Sequence, residues 1–162
     1  VYAFEPMDAC YERLRRTVEL NDQANVEPVP VALGRAAGRM SLAVDGAALD
    51  GDHRLVRSAD ETPGRSMQTV EIVRGDDLIH DRGFRPPNIV KLDVQAAEED
   101  VLLGLDVALR DPACRAVVYE VHFYIYAKKG DPDAPVRIDR HLRDCGFGTI
   151  HRLDRNHFLA SK

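Results

Sequence analysis

Strand-like and helix-like segments alternate along this chain, and that alternation directs it to an α/β fold with a mostly parallel sheet. Val1-Tyr2-Ala3-Phe4 reads as the tail of a buried strand, closed by Glu5-Pro6. Met7, Tyr11, Leu14 and Val18 then recur at helical spacing, and Asn21-Asp22 ends that helix. Val26 to Leu33 reads as one strand stopped at Gly34, Arg39 to Val44 as a short strand, and Thr69 to Val73 as another. Asp45 to Gly64, rich in Gly, Asp and Ser, reads as a surface loop prone to disorder. Gly75 to Ile79 suits a short helical turn.

The second half repeats the alternation. Pro86-Pro87 leads into a nearly continuous apolar strand over Asn88 to Val94. Glu98 to Leu109 reads as one helix, with Val101, Leu105, Ala108 and Leu109 on a face. Arg115 to His122 is a buried strand, and Tyr124 to Pro135 reads as a loop. Ile138, Leu142 and Cys145 mark a further helix, with Gly146 placed for its C-terminal cap. Phe147 to Leu153 and His157 to Ala160 form a closing hairpin across Asp154-Arg155-Asn156.

Composition narrows the function classes. The 162 residues suit one domain, with 44% hydrophobic and 30% charged residues. A net charge of -5, with no basic cluster carrying interleaved aromatics, argues against a nucleic-acid partner. No apolar run approaches the length of a membrane span, and no signal peptide is visible. Cys10, Cys114 and Cys145 are odd in number and widely spaced, so they are expected as reduced thiols in the cytoplasm rather than as disulfide or zinc ligands. His53, His80, His141, His151 and His157 show no ligand-like spacing, and no metal site is expected.

Four segments stand in an ordered, spaced set: Val1 to Pro6, Asn25 to Gly34, Val90-Lys91-Leu92-Asp93-Val94-Gln95-Ala96-Ala97-Glu98, and Tyr119-Glu120-Val121-His122. The helix Tyr11 to Arg16 leading to Leu20-Asn21, and Gly75-Asp76-Asp77-Leu78, fit between them. The set resembles the FkbM family of methyltransferases. The resemblance implies a Rossmann-like sheet of strand order 3-2-1-4-5-7-6 with an antiparallel C-terminal hairpin, S-adenosylmethionine as cofactor, and O-methylation of a hydroxyl on a sugar, glycan or secondary metabolite. On that map Val1–Phe4 is the family's second strand. The central first strand and its glycine-rich loop are then expected before Val1, making residues 1–162 a single domain truncated at its N-terminus.

The resemblance also implies roles. Glu5 would bind the ribose hydroxyls of the donor, or serve as a helix-entry carboxylate beside Pro6. Ala32 and Leu33 would touch the adenine, or pack at a sheet edge without ligand. Asp93 would orient or deprotonate the acceptor hydroxyl, or support the loop and helix behind it. His122, ending the neighbouring strand about 4.8 Å away in an ideal ladder, would be a general base or a structural residue. Gln95 and Ala96 stand where the family pattern has Glu and Gly. Gln95 keeps hydrogen bonding without charge, and Ala96 takes positive backbone angles less cheaply. These departures carry the alternative of a degenerate, non-catalytic binding domain. A nicotinamide-dependent dehydrogenase shares the acid ending the second strand, but the antiparallel closing hairpin speaks against it.

Overall fold

The structure, a computed structural model, describes residues 1–44 and 66–162; the loop expected over Asp45 to Gly64 lies outside the described residues. The chain divides into two compact units, Val1–Val73 and Arg74–Lys162.

In the first unit, β1 (Tyr2–Phe4) leads through α1 (Asp8–Leu20) to β2 (Glu27–Val29), which lies parallel to β1 with Ala3 opposite Pro28. The single strand expected over Val26 to Leu33 is instead two. Pro30 has no N–H for a ladder, and the Val31 N–H turns back onto the Val29 carbonyl at 3.0 Å. The chain then enters a second sheet as β3 (Ala32–Leu33), beside β5 (Ser66–Val73), which also pairs antiparallel with β4 (Gly38–Val44). Met7, Leu42 and Val70 form a buried cluster with Cys10 against it, anchoring the start of α1 on β4 and β5. Gln68 reinforces that anchor. Its Nε2 donates to the Pro6 carbonyl at 3.1 Å, and its Oε1 accepts the Asp8 N–H at 3.2 Å.

In the second unit the order is α2 (Gly75–Arg82), β6 (Ile89–Leu92), α3 (Glu98–Gly104), α4 (Asp106–Arg110), β7 (Ala116–Glu120), α5 (Phe123–Lys128), α6 (Ala134–Asp144), β8 (Thr149–Arg152) and β9 (His157–Ser161). The sheet runs β6-β7-β9-β8, with β6 parallel to β7 and both β9 pairings antiparallel. That is the order the resemblance implies for its last four strands. Leu102, Leu109, Val117, Ile138, Leu142 and Phe147 are fully buried between the sheet and the helices. Burying side chains of this size is worth roughly 1.5–3 kcal/mol each. Among the described residues, no helix is long and apolar enough to cross a membrane.

Two expectations for this unit are corrected. The helix over Glu98 to Leu109 breaks at Leu105 because Asp76 captures its backbone. The Asp76 carboxylate accepts the N–H groups of Val107 and Ala108, each at 3.0 Å, which a continuous helix would have turned back on itself. Gly75 beside it allows the close approach: a Cβ there would lie 2.3 Å from Leu105 Cδ2. The expected loop over Tyr124 to Pro135 contains α5, and α6 already starts at Ala134 with Pro135 in its first turn, a place where its missing N–H costs nothing.

Candidate active site

Parallel pairing of β6 and β7 sets Leu92 opposite Tyr119, so Asp93 and Glu120 leave the sheet side by side at its carboxyl end. Ligands in open α/β sheets collect at that end. His122 follows, where the chain turns into α5. Its Nε2 lies 3.9 Å from Asp93 Oδ1 and 3.9 Å from Glu120 Oε1. Both gaps are too long for a hydrogen bond and leave the nitrogen facing a space between two carboxylates. Lys91 Nζ holds the far oxygen of Asp93 at 3.1 Å, and His157 Nε2 lies 3.5 Å from Glu120 Oε2.

Behind His122 stands Glu98, a carboxylate with no exposed surface. Glu98 Oε1 accepts from His122 Nδ1 at 2.8 Å and from the Ala96 N–H at 3.1 Å, while Oε2 accepts the Tyr126 hydroxyl at 2.7 Å. A buried carboxylate needs such donors to offset its lost hydration. The pairing fixes Nδ1 as the protonated nitrogen of the neutral ring and gives Nε2 the lone pair. Burial first, then the charge of Glu98, pushes the Tyr126 phenol far up, so it remains a donor. From sequence, Glu98 could cap its own helix or touch ligand, and Tyr126 could line an acceptor entrance or a solvated loop; the structure buries both as partners. The signal for Tyr126 was the four-residue spacing from His122, which puts both on one face of a helical turn.

The Gln95-Ala96 turn carries this arrangement on unusual backbone. Gln95 has φ 51° and Ala96 φ 64°, in the left-handed region that glycine favours. The turn is held on both sides: Ala96 gives its N–H to Glu98, and its carbonyl accepts Lys129 Nζ at 3.1 Å.

The first unit places its own candidates at one end of the β1–β2 pair. Glu5 follows β1 and gives its backbone N–H to the Val29 carbonyl at 3.1 Å. Its Oε1 accepts the Met7 N–H at 2.9 Å, the helix-entry role, while Oε2 accepts no hydrogen bond among the described residues. Ala32 and Leu33, both half-buried, come directly after the turn at Pro30-Val31 that closes β2.

Two groups among the described residues bring metal-ligating atoms together, although no metal site was expected from the sequence. One oxygen each of Asp93 and Glu120 and a nitrogen of His122 lie within 4.8 Å of one another. The other group, Asp106, His141 and Cys145, lies outside this site.

The model of the methyltransferase FkbM domain matches residues 1–148 of this chain. The chain belongs to the FkbM methyltransferase family. It is 32% identical over 124 residues to the hexuronic acid methyltransferase AglP of Haloferax volcanii, a match that covers 75% of this chain and 47% of that protein. It is 29% identical over 133 aligned positions to the methyltransferase sdnD of Sordaria araneosa, covering 65% of this chain and 51% of that protein. The chain thus spans about half the length of the curated relatives it matches. A crystal structure of methyltransferase FkbM from Methylobacillus flagellatus KT resembles it with a TM-score of 0.63 at 13% identity, over 100% of this chain and 36% of that one. At that identity the likeness speaks for the fold, a Rossmann-like α/β arrangement. In this FkbM chain the strand ends that the sequence singled out are occupied by Glu5 in the first unit and by Asp93, Glu120 and His122 in the second.

Proposed function

We propose that this chain carries the donor-ribose and acceptor-activating residues of an S-adenosylmethionine-dependent O-methyltransferase whose acceptor is a hydroxyl of a sugar or glycan. The observation that carries the reading is the Glu98–His122 pair, which holds Nε2 towards the space between Asp93 and Glu120. A hydroxyl placed there meets a ring nitrogen that can accept its proton and carboxylates that can hold it by hydrogen bonds. Neighbouring sugar hydroxyls suit two carboxylates lying side by side, and the relative named for a hexuronic acid supports that acceptor class.

S-adenosylmethionine, when bound, supplies an electrophilic methyl group on a sulfonium. The chain's residues partly fit such a donor. Glu5 keeps Oε2 available for a ribose hydroxyl while Oε1 caps the entry to α1. Leu33 and Ala32 offer a half-buried apolar edge for an adenine ring. β1 and β6 each have one strand partner among the described residues. Cys10, Cys114 and Cys145 are free thiols among the described residues.

The rival of a non-catalytic relic rests on Gln95 and Ala96. Both take the positive φ angles that glycine would take, and the hydrogen bonds of Glu98 and Lys129 hold the turn in that form. That favours a working turn.

The test uses the full-length protein with sugar and uronic acid acceptors. Asp93→Asn and His122→Gln should lower turnover by about 10²–10⁴-fold, the contribution of a positioned base, while donor affinity stays unchanged. Glu5→Ala should weaken donor binding by about 1–3 kcal/mol. Full turnover in both base variants would overturn the catalytic assignment.

A further inference from the structure

We propose that Asp106, His141 and Cys145 form a zinc site that ties α4 to α6. The site is separate from the candidate active site and does not depend on the methyl-transfer reading. Helical periodicity builds half of it. His141 lies in the last turn of α6 and Cys145 caps that helix four residues later, so both side chains leave the same face. Asp106, the first residue of α4, approaches from the neighbouring helix.

The three ligand atoms form a nearly equilateral triangle. Cys145 Sγ lies 3.7 Å from His141 Nε2 and 3.7 Å from Asp106 Oδ1, and His141 Nε2 lies 3.6 Å from Asp106 Oδ1. In a zinc tetrahedron with Zn–S of about 2.3 Å and Zn–N or Zn–O of about 2.0–2.1 Å, adjacent ligand atoms are roughly 3.4–3.6 Å apart. An ion at the centre needs each atom to move by only a few tenths of an ångström. Without one, the His141–Asp106 contact is too long for a good hydrogen bond and the sulfur contacts are weak.

The chemistry of the donor set agrees with the geometry. Thiolate, imidazole and carboxylate are the zinc ligand types, and two anions with a neutral imidazole balance a dication. The C-terminal end of α6 adds partial negative charge beside Cys145. Arg110 already orients the Asp106 carboxylate: Nε donates to Oδ2 at 3.0 Å, Nη2 to Oδ1 at 2.9 Å, and Nη1 to the Asp144 carbonyl at 2.7 Å. Each carboxylate oxygen has two lone pairs, so Oδ1 can keep Arg110 and still bind an ion, as ligating carboxylates commonly do. Cys145 is buried, whereas the Asp106 side chain is 34% exposed, so an ion can enter from solvent and keep a water as fourth ligand.

The test is titration of the metal-free protein, carrying no affinity tag, with Co²⁺ alone. One equivalent should bind and give intense tetrahedral visible bands with a thiolate-to-cobalt charge-transfer band in the near ultraviolet. Cys145→Ser should abolish the charge-transfer band. His141→Gln, a change at a partly exposed position that the fold should tolerate, should weaken binding by more than about 100-fold, because losing even a group outside the coordination shell costs about 10–100-fold. Zn²⁺ should raise the melting temperature of the parent protein more than that of either variant. Absence of the band in folded parent protein, its persistence in Cys145→Ser, or equal zinc stabilisation of all three proteins would overturn the proposal.

Discussion

His122 and Glu98, 24 residues apart in sequence, share a 2.8 Å hydrogen bond whose carboxylate partner has no contact with solvent. The imidazole therefore takes its orientation from the interior and presents its second nitrogen outward. Replacing Glu98 with Gln removes the charge and puts an N–H₂ group where three donors converge. Glu98→Gln should destabilise the fold by about 2 kcal/mol in urea unfolding. Nitrogen-15 spectra of the ring should also show His122 losing its preference for protonated Nδ1. An unchanged tautomer would mean that Glu98 does not set it.

Ala96 sits at φ 64°, a conformation that costs an L-residue roughly 1–2 kcal/mol. Glycine relieves that cost but adds freedom to the unfolded chain, about 0.4–1 kcal/mol. Ala96→Gly should therefore stabilise the protein by roughly 0.5–1 kcal/mol. Chemical denaturation decides it, and a destabilised variant would show that burial of the alanine methyl outweighs the backbone relief.

These two residues illustrate what the sequence could and could not disclose. Apolar runs and helical spacing located most strands and helices, and strand ends pointed to Glu5, Asp93 and His122. Elements controlled by distant contacts were illegible. Asp76 divides α3 from α4 from more than a helix away, and Tyr126 secures α5 by reaching Glu98. Glu98 looked like one more acid opening a helix, because burial is not written in residue type. His141 and Cys145 showed no ligand-like spacing in the sequence, because the third member of their group comes from another helix.

Arg137 clamps two carboxylates at once. Nε and Nη2 donate to Glu99 at 2.7 Å each, and Nη1 and Nη2 donate to Asp131 at 2.9 and 2.6 Å. Such paired geometry makes this bridge stronger than an ordinary surface pair, although its exposure discounts it. Arg137→Met should cost about 1–2 kcal/mol at low ionic strength and distinctly less in molar salt. Arg137→Lys should recover only part of the loss, because an ammonium cannot serve both carboxylates in this planar fashion. Equal stability at all salt concentrations would remove the clamp from the account.

Asp154 organises the β8–β9 turn by accepting the N–H groups of Asn156 and His157, each at 2.9 Å, and His157 Nδ1 at 3.0 Å. The two backbone donors lead in holding its carboxyl down to about 2, and the Asp154 contact leads in raising His157. The depressed acid contributes fully above its unfolded value of about 4 and loses that contribution as pH falls towards 2. The raised base contributes fully below its unfolded value of about 6.5 and loses it as pH rises through its folded value. The turn should therefore be tightest between about pH 4 and 6.5. Carbon-13 titration of the Asp154 carboxyl should give its low midpoint, and Asp154→Asn should abolish the acid-side loosening of the hairpin. A midpoint near 4 would contradict the turn geometry.

The last strand of the sheet does not lie at its edge. β9 threads between β7 and β8, so β8 emerges from the ribosome before the strand that will hold it. Until β9 follows, β7 and β8 each present an open edge to any other chain in reach. Completion of this half thus waits for the segment His157–Ser161 to be made. Nascent chains stalled between β8 and β9 are the species that chaperones must shield, and they are where aggregation of this protein should begin.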